Sequence, residues 1–524
     1  MVPRFWRTIV STWYRSRISH RSEYSVERLL SFRDYLQRTS SARVLAVCAI
    51  SPIPALLVTL AIDCIPLKPP SDGWRANYAV WIRQTVAMFF EALGVVLQVR
   101  EVILTGTISN TNAVGIALGT AVSCVLATIV VADAWIFPIP FGYVLLLNLY
   151  VLLFSICMIV GIGPRVLANS SLLRQQIKSQ LFIIANQGIV AVCYPIFSAV
   201  FNRLSATQQE VFIFVMPIIK FFTKQNIANA AASSHEYIGP IVVFSVDLFN
   251  VYYVAICMQS AKSITTTLII IAIDSIYVFF AIRTIYKRVN PLQGNNEFSK
   301  DGYVQHLLGL LRKVRQEEHF SRPSVATKSV AHEPKVISQP NVTKSPATQL
   351  STTLPSKSSE DIVYDALQTL FHSEYILLAK YIKFVIPILY SLYLMVLYHL
   401  PIAMYYPHTA SLTFQDLMRT VDTILVYAAI EMLSFLLLLV LLWHKFGFSP
   451  LYQLAFVLET QAPALQGYLF VWTITILHLT LAHYVSRGAL GGSEVFRFDS
   501  CQAVFDRDVN AARNIFHKNM ALLL

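Results

Sequence analysis

The chain has 524 residues, 55% of them hydrophobic and only 13% charged, with a mean hydropathy of +0.56. Soluble domains carry roughly 25% charged residues, so this composition excludes an ordinary soluble protein and points to lipid. The formal net charge of +12 falls between the hydrophobic runs, where it sets topology and meets anionic lipid; nucleic acid is not expected as a partner.

Residues 1–43 are polar, with nine arginines and no lysine. Within them, the spacing of Val26, Leu29, Leu30 and Tyr35 predicts a short helix with Ser25 as its N-cap and Arg28 and Arg33 on the polar side. Two readings stand for it: a helix lying on the inner leaflet, or a solvated basic arm that fixes orientation. No cleavable leader is read, because the first apolar run starts near Arg43 behind this basic stretch.

A first transmembrane bundle of about eight spans is expected over 44–288. The first span, about 44–66, should break or kink at Pro52 and Pro54. The second, about 77–99, carries Arg83 and Glu91. These are eight residues apart, on one face but about two turns distant, so each is expected to meet another helix, or Arg83 to snorkel to the headgroups. Spans follow at about 113–136 and 140–161. Gly115, Gly119 and Ser123 give the third a face of small residues at spacing four, suited to close helix packing. The fifth span is about 181–201. The sixth, about 209–222, is short, contains Pro217 and ends at Lys220 and Lys224. The seventh and eighth, 238–258 and 264–285, each carry one aspartate at the centre: Asp247 and Asp274. Each acid should raise the cost of insertion by ~3 kcal/mol, so a partner or a cavity is expected for it. Asn250 and Tyr277 lie three residues beyond these acids, on the same helix faces.

Residues 289–360 read as an amphipathic basic helix followed by a disordered cytoplasmic linker. Val304, Leu307, Leu308, Leu311 and Val314 form the stripe of that helix, which suits a membrane surface. The Ser-, Thr-, Pro- and Lys-rich remainder buries too little apolar surface to fold. A second bundle of about three spans is expected over 361–486. It begins with a polar lead, "DALQTLFHSEY". A span at about 380–400 is broken at Pro387, one at about 421–443 carries Glu431 at its centre, and one at about 465–485 carries His478 and His483. The fold class is therefore all-α: a polytopic helical membrane protein with about 10–11 transmembrane helices in two bundles joined by the linker. The basic residues bordering 162–180, 223–237 and 286–379 place these segments and the N-terminus in the cytoplasm by the positive-inside rule.

Two stretches, "IPLKPPSDGWRANYAVWIR" and "FGFSPLYQLAFVLETQ", resemble a large group of polytopic membrane proteins from oomycetes. The resemblance extends over most of the membrane region and implies a membrane fold but no biochemical role. The tail, 487–524, differs in kind. Its "CQAVFDRDVNAARNIFHKN" resembles the end of the transposon-encoded OrfB and Fanzor nucleases. That resemblance implies Asp508 as a metal-binding acid and Cys501 as a zinc cysteine. It covers only about 20 residues, the family's CxxC pairs are absent, and the positions of its other acids fall in hydrophobic spans. A remnant of a fused transposon segment is the reading that follows.

No HExxH, GxSxG or phosphate loop is present, so neither enzyme nor cofactor is expected. The candidate residues are the intramembrane ionisable groups Asp247, Asp274, Glu431, Glu91 and Arg83. Asp63 and Asp133 lie near span ends, where solvent reaches them. A DNA-binding, transposase-like nuclease rests on the tail alone, and two other functions compete ahead of it. In one, the acids carry protons or bind a small solute or ion in a secondary transporter or ion-conducting protein. In the other, they tie the helices of a non-transporting scaffold or receptor-like protein.

Overall fold

The computed structural model describes residues 24–103, 107–135, 137–139, 142–231, 237–261, 263, 265–273, 275–276, 279, 283, 303–321, 359–406, 409–410, 412–479, 481, 495–497 and 504–506. Asp274, Tyr277, His483, Cys501 and Asp508 lie outside these residues, as does most of the expected linker.

Helix α1 (Val26–Arg38) starts at Ser25, whose hydroxyl accepts the Arg28 N–H. Pro52 separates α2 (Ser41–Ile50) from α3 (Ile53–Asp63). Then come α4 (Tyr78–Val102), α5 (Asn110–Ala134), α6 (Gly142–Ile162) and α7 (Ser171–Arg203). The sixth span is α8 (Ala206–Phe212) and α9 (Val215–Ala230), split at Ile213–Phe214. The seventh is α10, which runs Ile238–Ser260 with a π-helical turn at Val243–Asp247. Helix α11 is Tyr303–Ser321, α12 is Ser359–His399, α13 is Phe414–Phe446, α14 is Pro450–Thr460 and α15 is Ala462–His478. A short antiparallel ribbon pairs Val495–Arg497 with Val504–Asp506.

Among the described residues nine helices are long and apolar enough to cross a bilayer, and the chain is a multi-pass, all-α integral membrane protein. The expected count of 10–11 differs for two reasons. The span at 264–285 is described only in pieces, with residues 265–273 helical. Helix α15 has 17 residues, about 25 Å of rise against ~30 Å of hydrocarbon. Exposed apolar residues such as Leu433, Leu437 and Val440 on α13 fit a lipid-facing surface.

The two groups of spans do not pack as separate bundles. Helix α15 lies along α4 and also touches α3, and α12 packs on both α10 and α13. One hydrophobic core includes residues from both sides of the linker region. Helix α10 sits innermost, with 94% of its most apolar window buried. A helix that is apolar all round can be satisfied only by partners on every side.

Several local expectations change in the fold. Helix α12 is continuous through Pro387 and includes the "polar lead". Its 41 residues span about 60 Å, twice the hydrocarbon thickness. The stripe of α1 is Leu29 and Phe32, both fully buried, whereas Val26 and Leu30 are exposed. Phe32 packs on Phe448 and Phe456, each at 5.4 Å between ring centroids. Arg28, expected on the polar side, is half-buried and turned onto the buried Glu374 at 2.6 Å. So α1 docks on protein. The same holds for α11: Val304, Leu307 and Leu308 are buried, and Tyr303 Oη donates to the Ala366 carbonyl at 3.1 Å.

The small-residue face of α5 packs only in part: a Cβ at Gly119 would lie 3.4 Å from Cys157 Sγ of α6. No atom would lie within 4 Å of a Cβ added at Gly115. The tight approach is between α4 and α15, where a Cβ at Gly94 would sit 2.6 Å from the Gly467 carbonyl oxygen. That oxygen is backbone, so the helices themselves would have to part. Gly94→Ala should therefore cost about 1–3 kcal/mol by overpacking, read as a lowered unfolding midpoint in detergent. Gly115→Ala should change it by less than ~0.5 kcal/mol. Equal effects would mean that this crossing does not matter.

Helix α14 is tied to α1 and α2 by polar contacts. Arg43 pairs with Glu459, and Tyr35 Oη donates to the same carboxylate at 2.8 Å. Partial burial works against the charge, but the hydrogen bonds from Arg43 and Tyr35 outweigh it and hold the Glu459 carboxyl below the usual carboxylate range. A depressed carboxyl contributes stability that is complete above the unfolded-state value, ~4.3, and is lost as pH falls through the folded-state value. Melting profiles between pH 7 and pH 3 should fall more steeply for the parent than for Glu459→Gln. Parallel profiles would show that the tie contributes nothing.

Candidate functional site

Because lipid supplies neither counter-charge nor hydrogen bonds, the ionisable groups inside the helices are the natural candidates for a site. Asp63 ends α3, at the position expected to be solvated, yet it is 1% exposed. The cause is Arg83. On α4, Val80, Arg83, Gln84, Ala87 and Glu91 share the buried face, and the Arg83 guanidinium is turned onto Asp63 in a fully buried ion pair. Arg83 also donates to the Ile62 carbonyl at 3.3 Å and to Tyr406 Oη at 2.8 Å. Tyr406 Oη in turn donates to Asp63 Oδ1 at 2.8 Å. His478, at the end of α15, brings Nε2 within 3.4 Å of the same oxygen. At that distance neither ring nitrogen makes a hydrogen bond, so its contribution is electrostatic contact and packing.

Two turns along the same face of α4, Glu91 has a different setting. It is 5% exposed and accepts a hydrogen bond from Thr475 Oγ1 of α15 at 3.0 Å. Among the described residues no cation lies within ion-pair distance of it. Glu91 lines a cavity of about 110 Å³ walled by α4, α5, α6, α7 and α15. Gln84, Thr128, Gln187, Thr475 and His478 are the other polar residues around it; Trp81, Tyr150 and Trp472 are among its aromatic walls. Gln84 Nε2 donates to Thr128 Oγ1 at 3.4 Å. Water occupies ~30 Å³ per molecule in the liquid, so the space suits a few waters or a solute of a few heavy atoms. The sequence expectation that Arg83 and Glu91 each meet another helix is met, by α3 and by α15.

The central acids are paired with lysines. Asp247 ends the π-helical turn of α10 and is 2% exposed. Lys220 Nζ lies 2.9 Å from its Oδ1 and Lys224 Nζ 3.4 Å from its Oδ2. Tyr375 Oη reaches Oδ2 at 3.5 Å. Lys220 and Lys224, read as the polar end of a span, thus belong to its buried face. Glu431 on α13 takes Lys380 of α12 at 2.6 Å and Lys383 at 3.9 Å. Asp247 thus has the partner expected for it, whereas Asp274 lies outside the described residues. Lysine spacing was the overlooked signal: 220/224 and 380/383 are four and three apart, which puts each pair on one helix face. Asp133, by contrast, is exposed beside Arg75 at 3.7 Å, where the sequence placed it.

Among the described residues no three His, Cys, Asp or Glu side chains are grouped to hold a metal ion. Cys501 and Asp508 are outside that set. Comparison of the chain with family models, curated proteins and solved structures finds no match.

The Asp63–Arg83 pair generates a prediction about stability. Removing one partner strands a buried charge, at a cost of about 3–5 kcal/mol, whereas removing both costs much less. Asp63→Asn and Arg83→Met should each lower the unfolding midpoint in detergent sharply. The double variant should recover a large part of that loss. Strict additivity would show that the two side chains act independently.

Proposed function

We propose that this integral membrane protein is a secondary transporter or ion-conducting protein, with Glu91 and its cavity as the working site. The observation that carries this reading is the contrast among the buried acids. Asp63, Asp247 and Glu431 each face at least one cation. Glu91 faces a hydroxyl and a cavity. A carboxyl of that kind can take up and release a proton without breaking an ion pair, and the polar side chains beside it can orient water or a small solute. Gln84, Thr128 and Thr475 supply donors and acceptors; the aromatic walls limit size. The reading also keeps the N-terminus on the cytoplasmic side, where the basic residues meet anionic lipid.

The scaffold reading is favoured by the three ion-paired acids, which join helices far apart in sequence and need no traffic through the protein. The two readings separate in sealed vesicles. Reconstituted protein, driven by a potassium diffusion potential and followed with an internal pH dye, should pass protons faster than empty vesicles. Glu91→Gln keeps the shape and a hydrogen-bonding partner for Thr475 but cannot ionise. It should cut that rate at least tenfold while the unfolding midpoint stays near the parent's. A parent no faster than empty vesicles across pH 5–8 would sink the proton-conducting reading and leave the scaffold.

A further inference from the structure

When Glu91 ionises, no protein cation meets its charge among the described residues. Arg83, on the same face of α4, is committed to Asp63. None of the residues that line the cavity beside Glu91 is a lysine or an arginine. The other titratable groups on that lining are Cys124 of α5, Tyr150 of α6 and His478 of α15; α7 brings none. An acid held at this depth needs a partner or a cavity that supplies one. Here the counter-charge has to come from whatever enters the cavity.

The hydrogen bonds around the cavity leave it with oxygen acceptors. Thr475 Oγ1 donates to Glu91 Oε1 at 3.0 Å. Glu91 Oε2 has no partner among the described residues and is not sealed in by packing. Since Glu91 borders the cavity, that oxygen opens onto it. Gln84 is oriented by its neighbour. Thr128 Oγ1 gives its one proton to the Cys124 carbonyl at 2.8 Å, so it can only accept from the Gln84 amide, at 3.4 Å. That fixes the Gln84 NH₂ on Thr128 and leaves its oxygen as an acceptor, also not sealed in. Gln187 turns its NH₂ onto Ser245 of α10 at 2.9 Å, outside the cavity lining.

We propose that this cavity carries a small primary alkylammonium ion, of the size of methylammonium, held by Glu91 Oε2. The inference rests on the reading of Glu91 and its cavity as the working site, and it names the cargo. An ammonium brings one positive charge and three donors with no acceptor, which complements an unpaired carboxylate among acceptors. Gln84 lies about two turns away, so its oxygen receives the water that accompanies the cation. A bare alkali ion requires a shell of oxygens in place of its water, and most of this lining is apolar or aromatic. Val95, Ile184 and Val471 suit an alkyl end, and Trp81, Tyr150 and Trp472 are side chains of the kind that surround alkylated ammonium groups. About 110 Å³ holds a cation of two or three heavy atoms with water beside it. One carboxylate carries one charge, so the ammonium binds only where the proton has left. The two exchange one for one at Glu91.

Equilibrium dialysis of the purified full-length chain in detergent against radioactive methylammonium tests this, with sodium chloride holding the ionic strength constant. An alkylammonium, like the lysine side chain, stays charged near neutral pH. The parent should bind saturably, approaching one methylammonium per chain. Ethylammonium should displace it; potassium, and acetate of similar size but opposite charge, should not. Glu91→Gln should weaken binding at least tenfold and Gln84→Leu at least threefold. Asp133→Asn, which removes an exposed acid, should leave binding unchanged. The comparison among competing ions uses the parent alone, so it decides the question even where a variant fails to fold. Absence of saturable binding in the parent, binding retained by Glu91→Gln, or displacement by potassium as effective as by ethylammonium would each overturn the proposal. Proton flux without methylammonium binding would overturn this cargo and leave Glu91 a proton site. Methylammonium binding that Glu91→Gln abolishes, with no proton flux in the parent, would support this site and overturn the proton-conducting reading alone.

Discussion

A charge moved from water into hydrocarbon must bring its counter-charge with it, and this requirement organises the packing of the chain. The ion pairs join segments distant in sequence. Asp63 is reached by Arg83, by Tyr406 and by His478, which draws α3, α4, α15 and the turn after α12 to one point. Lys380 ties α12 to Glu431 of α13, and Arg28 ties α1 to Glu374 of α12. Apolar packing alone selects poorly among helix neighbours in a bilayer, because lipid tails are as apolar as leucine. Buried pairs discriminate far more strongly, since a wrong neighbour leaves a charge unmatched. The interleaving of the helices on either side of the linker region follows from where their charges can be neutralised.

The helices were readable in the sequence because bilayer thickness imposes their length. Tyr78–Val102 and Asn110–Ala134 fall within a few residues of the hydropathy boundaries. So does the break at Pro52, where the helix restarts with proline in its first turn, as its missing N–H permits. Pro387 misled for the opposite reason. Inside a long membrane helix, neighbouring groups re-satisfy the freed carbonyl, so the proline is tolerated. The polar lead is packed inside the protein: Gln368, Thr369, Ser373 and Glu374 are buried, and Glu374 pairs with Arg28. A one-dimensional pattern shows a charge but not its mate.

The site was partly legible in the same sense. Arg83, Glu91, Asp247 and Glu431 could be singled out because ionisable residues are costly at that depth. Nothing in the spacing said that Asp63 would pair with Arg83, since that contact depends on how the turn at 64–77 folds α3 back along α4. Nothing said that Glu91 would differ from the others. Its distinction is the absence of a nearby cation among the described residues, and an absence is a property of three-dimensional surroundings. Small residues show the limit again. Gly119 faces Cys157 of α6 as its spacing suggests, Gly115 faces open space, and the backbones themselves meet at Gly94 and Gly467, two glycines with no repeat around them.

The buried acids therefore divide by what their neighbours allow them to do. An acid with a lysine or arginine in contact cannot change its charge without stranding the cation. Such a group is a fastening. An acid with only a hydroxyl beside it has no cation to strand. Glu91 combines that freedom with a cavity large enough for water, on the same helix face as Arg83. The Asp63–Arg83 pair joins α3 to α4 on that face, with His478 of α15 packed beside it, next to Thr475 and the cavity wall around Glu91.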